Sequence, residues 1–306
     1  MPSRDDAWPE LLYPSWKPTC YTLHMWLQIA GKVRLALGPH LNHFWEATYY
    51  VTPRGLTSGA IPRPGGVGIF SFEFDFVADQ LRIETSERER KVLSLRPCKV
   101  ADFEAEVLGA LAGLGIEARI WPMPVEVPNP VRFDLDHDNG SYDADAVRRW
   151  WRILVACQRV FAQVRGEFQG KASPVHVFWG SMDLAYTRFS GRPAPPRPEA
   201  PVMMQEAYSC ECASAGFWPG DERFPEAAFY AYAVPEPGGY AGRVPHPKAF
   251  YHKEMGEFLL RYDDIRAARD PETELLGFLR QSFAAAAELG NWPDAGAPPH
   301  SAVTGR

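Results

Sequence analysis

His176 stands in an apolar run, Val175-His176-Val177-Phe178-Trp179. A lone His on an apolar strand is more often a hydrogen-bonded core residue than a site residue. Here, however, polar groups follow that a strand does not need: Ser181, Asp183, Arg188 and Arg192. Each would cost about 1–3 kcal/mol or more if buried unpaired. Either they pair with one another or they line a cleft, the setting of an acid–base site. His43, in Asn42-His43-Phe44-Trp45, is a second proton carrier, and His24 and His40 are further candidates. Glu73 and Asp75 lie two apart, on the strand face opposite Phe70, Phe72, Phe74 and Phe76. That face is either solvated or a cavity wall on which Asp75 acts as acid or base. Asp183 could serve in the same way.

Cations recur beside Trp and Gly: Lys32, Arg54, Lys171, Arg188 and Arg192. The Arg donor fork suits carboxylate or phosphate. Trp26, Trp45 and Trp179 could wall the same pocket. The competing reading is structural, with Arg stacked on Trp and paired to Glu73 or Asp75. Other schemes are weaker. Ser58-Gly59 and Gly180-Ser181 do not make a Gly-x-Ser-x-Gly elbow. Gly65-Gly66-Val67-Gly68 lacks the dinucleotide spacing and reads as a hairpin loop. Cys210-Glu211-Cys212 has no second Cys or His pair at ligand spacing, so no metal and no organic cofactor are expected.

The elements that must position these residues follow from periodicity. Leu23, Trp26, Leu27, Ala30, Val33 and Leu37 predict a helix over Thr19–Leu37, closed by Gly38-Pro39. Strands are expected at Trp45–Val51, around Phe70–Phe76, at Leu81–Glu84 and at Val92–Leu95, with a hairpin loop at Ser86–Glu89. A helix with the stripe Val100, Phe103, Val107, Leu111 and Leu114 follows Pro97. Ile116–Val127 reads as extended and Pro128–Gly140 as a linker. A third helix spans Asp143–Phe168, with the stripe Val147, Trp151, Leu154, Gln158, Phe161 and Phe168. Strands then recur at Val175–Phe189, Glu206–Gly216, Ala228–Val234 and Glu257–Arg261, interrupted by the Pro-rich loop Arg192–Pro201. The last helix opens at Asp270-Pro271-Glu272 and ends near Gly290. This order is α+β, with antiparallel sheets and packed helices.

Gly31-Lys32 and Trp45 to Arg54 in the first half echo Gly170-Lys171 and Trp179 to Arg188 in the second. One reading is a duplicated helix–sheet–helix unit, with halves at 19–127 and 141–290 inside a single unit of 1–292, and a flexible tail at 293–306.

Composition bounds the rest. The chain has 306 residues and 46% hydrophobic content, with 10 Trp, 12 Tyr and 18 Phe, which excludes disordered and fibrous classes. Gly 25 and Pro 29 fall between apolar runs and mark turns. The net charge of −6 argues against a nucleic-acid partner. No long apolar run predicts a membrane span. Five scattered Cys and no signal peptide predict a cytoplasmic protein with reduced thiols.

Several of these segments are long and distinctive. They include Thr22-Leu23-His24-Met25-Trp26-Leu27-Gln28-Ile29-Ala30-Gly31-Lys32 and Tyr50-Val51-Thr52-Pro53-Arg54-Gly55. Ser173-Pro174-Val175-His176-Val177-Phe178-Trp179-Gly180-Ser181-Met182-Asp183 is the most specific, followed by Glu206-Ala207-Tyr208-Ser209 and Ser214-Ala215-Gly216-Phe217-Trp218. From Trp8 to Trp292 the chain resembles the bacterial family catalogued as domain of unknown function 5996. The resemblance implies one family unit and brings no established activity. The family often has His where this chain has Cys210, and His where it has Arg197. Cys could replace His as a metal ligand but Arg could not, which weakens a metal reading.

The residues together suggest a small-molecule enzyme performing acid–base hydrolysis or isomerisation on an anionic substrate. Arg54, Arg188 and Arg192 would bind it, with Lys32, Lys171, Trp45 and Trp179. His43 and His176 would move protons, oriented by Asp183 or Asp75. The alternatives are a non-catalytic binder of an anionic ligand, and a structural module whose Trp residues pack a homo-oligomer face.

Overall fold

The computed structural model describes residues 7–293. The chain divides into two compact units. The first takes the residues up to Val155 with Val177–Asp183; the second takes Ala156–His176 and the residues from Leu184 on. Antiparallel strands and packed helices give the expected α+β class.

The first unit is built on helix α1 (Tyr13–Leu37). Its apolar residues recur at helical spacing, and Pro14 lies in the first turn, where its missing N–H costs nothing. The helix starts earlier than the expected Thr19 because it also accommodates Pro18, whose carbonyl accepts the Thr22 hydroxyl at 3.0 Å. It ends as predicted, with the Gly38 N–H on the Arg34 carbonyl at 2.8 Å. Between Thr22 and Arg34 every side chain except His24 is buried. A helix covered on all sides is a core helix rather than an amphipathic surface one.

Around it lie β1 (Thr48–Thr52), β2 (Gly55–Thr57), β3 (Ile61–Pro62), β4 (Ile69–Asp75), β5 (Gln80–Thr85) and β6 (Arg90–Ser94). Their order is β1-β2-β4-β5-β6, with β3 also on β4, and all pairs are antiparallel. Val177 and Phe178, from β7 (His176–Phe178), pair with Tyr49 and Thr48. The two expected hairpin loops join β3 to β4 and β5 to β6. Phe70, Phe72, Phe74 and Phe76 are at most 1% exposed, so their alternation is a core face. Each such ring contributes about 1.5–3 kcal/mol by burial. Helix α2 (Val100–Ala112) buries Val100, Phe103, Val107 and Leu111 as predicted, with Phe103 stacked 4.4 Å from Trp26.

Ile116–Val127 runs without helix or ladder. One expectation fails here. Pro128–Gly140 does not separate the units: Phe133 within it is fully buried, and the Asp136 carboxylate accepts the Asn139 N–H at 3.0 Å. The division falls instead inside helix α3 (Ala144–Gly166), between Val155 and Ala156.

The second unit orders its strands β8 (Asp183–Pro193), β9 (Cys210–Trp218), β10 (Ala228–Val234), β12 (Glu257–Arg261) and β11 (Phe250–His252), all antiparallel. β10 and β12 have the predicted limits. The expected strand Val175–Phe189 is broken by a turn at 179–182, and Glu206–Ala207 belongs to a short helix, α4 (Val202–Ala207). After α5 (Tyr262–Arg266) comes α6 (Pro271–Leu289), where the Asp270 side chain accepts the Thr273 N–H at 3.2 Å. The expected tail lies outside the described residues from 294 on. The Gly-Lys pairs of the suggested duplication sit in different structures: Gly31-Lys32 within α1, Gly170-Lys171 in irregular chain beyond α3. No helix among the described residues is long and apolar enough to cross a membrane.

Phe74→Ala should lower the unfolding free energy by about 3–5 kcal/mol in urea denaturation. A loss under about 1 kcal/mol would contradict the core assignment.

Candidate functional site

Burying α1 obliges its polar side chains to find partners, because an unpaired buried polar group costs about 1–3 kcal/mol. Most do. Arg34 donates to the Thr48 carbonyl at 2.6 Å, and Thr19 accepts the Asp143 N–H at 3.0 Å. Gln28 donates through Nε2 to the Val125 carbonyl at 2.8 Å and accepts the Val125 N–H at 2.8 Å. Those two bonds do for the 116–127 segment what a strand ladder would have done. One turn earlier, His24 Nε2 lies 2.8 Å from the Gly180 carbonyl. A carbonyl only accepts, so the bond to Gly180 takes a proton on Nε2, whereas the Gln28 amide nitrogen, 2.9 Å from the same atom, would need its lone pair. Burial lowers the His24 pKa to about 4 despite the Gly180 and Trp179 carbonyls, so the imidazole is neutral at pH 7.

Three do not: the Trp16 and Trp26 indole N–H groups and, one turn beyond Gln28 on the same face, the charged Lys32. It is 4% exposed, and no hydrogen bond or ion pair holds its ammonium among the described residues. Three aromatic rings surround it instead: Nζ lies 4.8 Å from the Trp121 centroid, 5.8 Å from Trp179 and 5.9 Å from Phe133. Burial lowers its pKa from 10.5 to about 8. The charge is therefore still present at pH 7. Desolvating it costs several kcal/mol, and each ring returns about 0.5–2 kcal/mol, least at the longer distances. The cage leaves room for an anion's contribution. Trp121 is 62% exposed, so the amine lies one ring below the surface.

Local sequence sets this cage. Trp179 lies flat on α1 because residue 31 is Gly; a Cβ there would stand 2.5 Å from the indole Cδ1. Gly180 makes room for Glu126, whose carboxylate would meet a Cβ at 2.5 Å. Glu126 and Met182 both adopt positive φ, at 56° and 60°. Such conformations cost energy and persist only where surrounding contacts hold them.

The other sequence candidates make contacts of their own. Asp75 is 1% exposed and takes Arg54 Nε at 2.6 Å, Arg82 Nη1 at 3.0 Å and the Ala78 N–H at 2.9 Å. Burial alone would raise its pKa, but the Arg54 and Ala78 hydrogen bonds and the Arg54 and Arg82 charges hold it below the usual value. Arg54 thus makes the structural pairing weighed against a pocket role. His43, buried at φ 62°, lies 5.5 Å from the Trp45 ring. Asp183 accepts the Ser181 hydroxyl at 2.5 Å. In the second unit His176 is fully buried. Arg192 pairs with Glu211 at 2.7 Å and donates to the Gly290 and Asn291 carbonyls. The Lys171 ammonium lies 4.8 Å from the Phe189 ring. Arg188 is buried among Phe168, Tyr186 and Phe283. Of the candidates, Lys32 and Trp179 meet at the cage.

Sequence reasoning missed Trp121, Phe133 and Gln28 as site-forming residues. It also missed Glu104, 6% exposed on α2, whose pKa rises to about 7 through burial, with Asp134 adding and Arg132 opposing. The signal was present: Glu104 falls on the Val100, Phe103, Val107 stripe, where an acid is out of place. A larger surface groove of about 880 Å³ is lined by Arg96, Lys99, Glu106, Asp138, Tyr142 and Asp143, among others. Its two cations are engaged, Arg96 with Glu106 at 2.9 Å and Lys99 with the Asp138 carbonyl at 2.6 Å, so Lys32 is the better candidate for an anion. No group of three His, Cys, Asp or Glu among the described residues could hold a metal.

Gln28→Leu keeps the volume but strands the Val125 N–H and C=O. It should cost about 2–5 kcal/mol by denaturation and speed proteolysis within 116–130. Unchanged stability and protease resistance would show that the two bonds do not hold this segment.

Residues 8–297 match the model of a family described as Family of unknown function (DUF5996). No match was found among the curated proteins or among the solved structures. Because the match takes in all but the ends of the chain, the protein belongs to the DUF5996 family.

Proposed function

We propose that the protein is a small-molecule enzyme for an anionic substrate, with Lys32 as the substrate-facing cation and Trp121 and Trp179 as its walls. The observation that carries this is the Lys32 ammonium, buried among three rings with no counter-ion among the described residues. A bound carboxylate or phosphate would supply the missing charge in a low-dielectric setting, where the attraction is strong.

An enzyme is favoured over a passive binder by the same group. A binder needs only a permanent charge. A lysine that loses its proton near pH 8 can neutralise a substrate and also exchange a proton with it, which fits acid–base hydrolysis or isomerisation. The binder remains the alternative. The setting we propose is cytoplasmic, in keeping with five free cysteines.

The test is calorimetric and NMR screening of small carboxylates and phosphates against the full chain. A ligand should bind at about pH 6.5 and weaken about tenfold for each pH unit above the Lys32 pKa of about 8, because the folded protein then sheds the Lys32 proton. Lys32→Met should abolish binding while Lys171→Met does not. Conversion of the ligand on standing supports the enzyme, and binding without conversion supports the binder. Anion binding indifferent to both pH and Lys32→Met would defeat the proposal.

A further inference from the structure

The second unit holds a small cavity, separate from the Lys32 cage. Its walls include Val164 of α3, Tyr186 and Arg188 of β8, Ser214 of β9, Tyr232 of β10 and Ser282 of α6. Its volume is about 20 Å³, room for one water-sized sphere. So small a space suits a single small ion or water better than a carboxylate or phosphate.

Charge distinguishes this cavity from an ordinary water site. Arg188 is 4% exposed. Its Nε–H donates to the Tyr186 hydroxyl at 2.6 Å, and Nη2 donates to the Val164 carbonyl at 2.7 Å. Both acceptors are neutral. A guanidinium has five N–H donors, so with two engaged three remain. No carboxylate pairs with Arg188 among the described residues. The Phe283 ring lies 3.9 Å from the guanidinium carbon, with Tyr186 at 5.2 Å and Phe168 at 5.4 Å, so bulk water is largely excluded.

No lining residue is acidic. Burial raises the pKa of the Tyr186, Tyr232 and Tyr240 phenols and keeps them neutral. Two hydroxyls line it as well. Ser214 bonds Thr187 at 2.9 Å and also Tyr232, and the Ser282 proton goes to the Leu279 carbonyl in a long bond of 3.2 Å that an anion could replace. The cavity therefore carries one positive charge, several donors and no negative group. A buried cation in this state is costly unless an anion joins it.

We propose that this cavity binds one monatomic anion, chloride under ordinary salt, held by Arg188 with Ser214 and Ser282. The ion would tie α3, β8, β9 and α6 together from inside the second unit.

Bromide substitutes for chloride and is located by anomalous diffraction. Crystals of the full chain grown in sodium bromide should show a peak in this cavity, within hydrogen-bond distance of the Arg188 guanidinium. In solution, chloride should raise the thermal midpoint by about 2–4 °C over gluconate at equal ionic strength. Arg188→Gln should remove that difference. If that variant does not fold, the wild-type peak and the wild-type chloride dependence decide the matter. A cavity holding only water in bromide crystals, or a midpoint indifferent to the anion, overturns the proposal.

Discussion

Helix α1 is covered on all sides, and the free-energy cost of drying polar atoms then governs what surrounds it. Most of the polar groups buried on the helix are met by something brought to them. The Thr48 carbonyl comes to Arg34, the Val125 backbone to Gln28 and the Gly180 carbonyl to His24. These contacts fix segments that have no regular structure of their own, the 121–126 stretch and the turn at 179–182. The glycines of the motif serve the same end. Gly31 lets Trp179 lie against the helix, and Gly180 admits the Glu126 carboxylate.

Lys32 gains its meaning against that background. On a surface helix an unpaired lysine would be unremarked, since water would solvate it. On a buried helix it is the one charged side chain whose nitrogen meets rings and no acceptor. The protein bears the desolvation cost of an ammonium and recovers only part of it from the rings. Stability alone would favour Met or Leu at this position. A ligand's negative charge would account for the lysine.

Much of the architecture was legible in the sequence. Period-two alternation found Phe70 to Phe76, and an Asp-Pro start found α6, because both signals are local. What the sequence left hidden depended on contacts between distant residues. Ile116–Val127 looked extended, yet a helix side chain holds it rather than a strand. In α3, Trp150 is fully buried while Trp151 is only partly so and donates to the Thr52 carbonyl at 3.2 Å. The expected stripe had chosen Trp151, since adjacent tryptophans differ by only one residue in helical phase. Among the candidate residues, Lys32 and Trp179 were named for being beside Gly, and close packing at Gly31 is what joins them. Trp121 and Phe133 carried no such mark, because each belongs to the site only through tertiary packing.

Everything proposed for this site turns on the protonation of one amine. Lysine-selective NMR of the full chain, with Lys32 assigned by its loss in Lys32→Arg, follows that amine directly across the pH range. The Lys32 signal should titrate near pH 8, apart from the other lysines. A Lys32 signal titrating with the others, at about 10.4, would mean that the amine is solvated or paired, and would contradict the proposal.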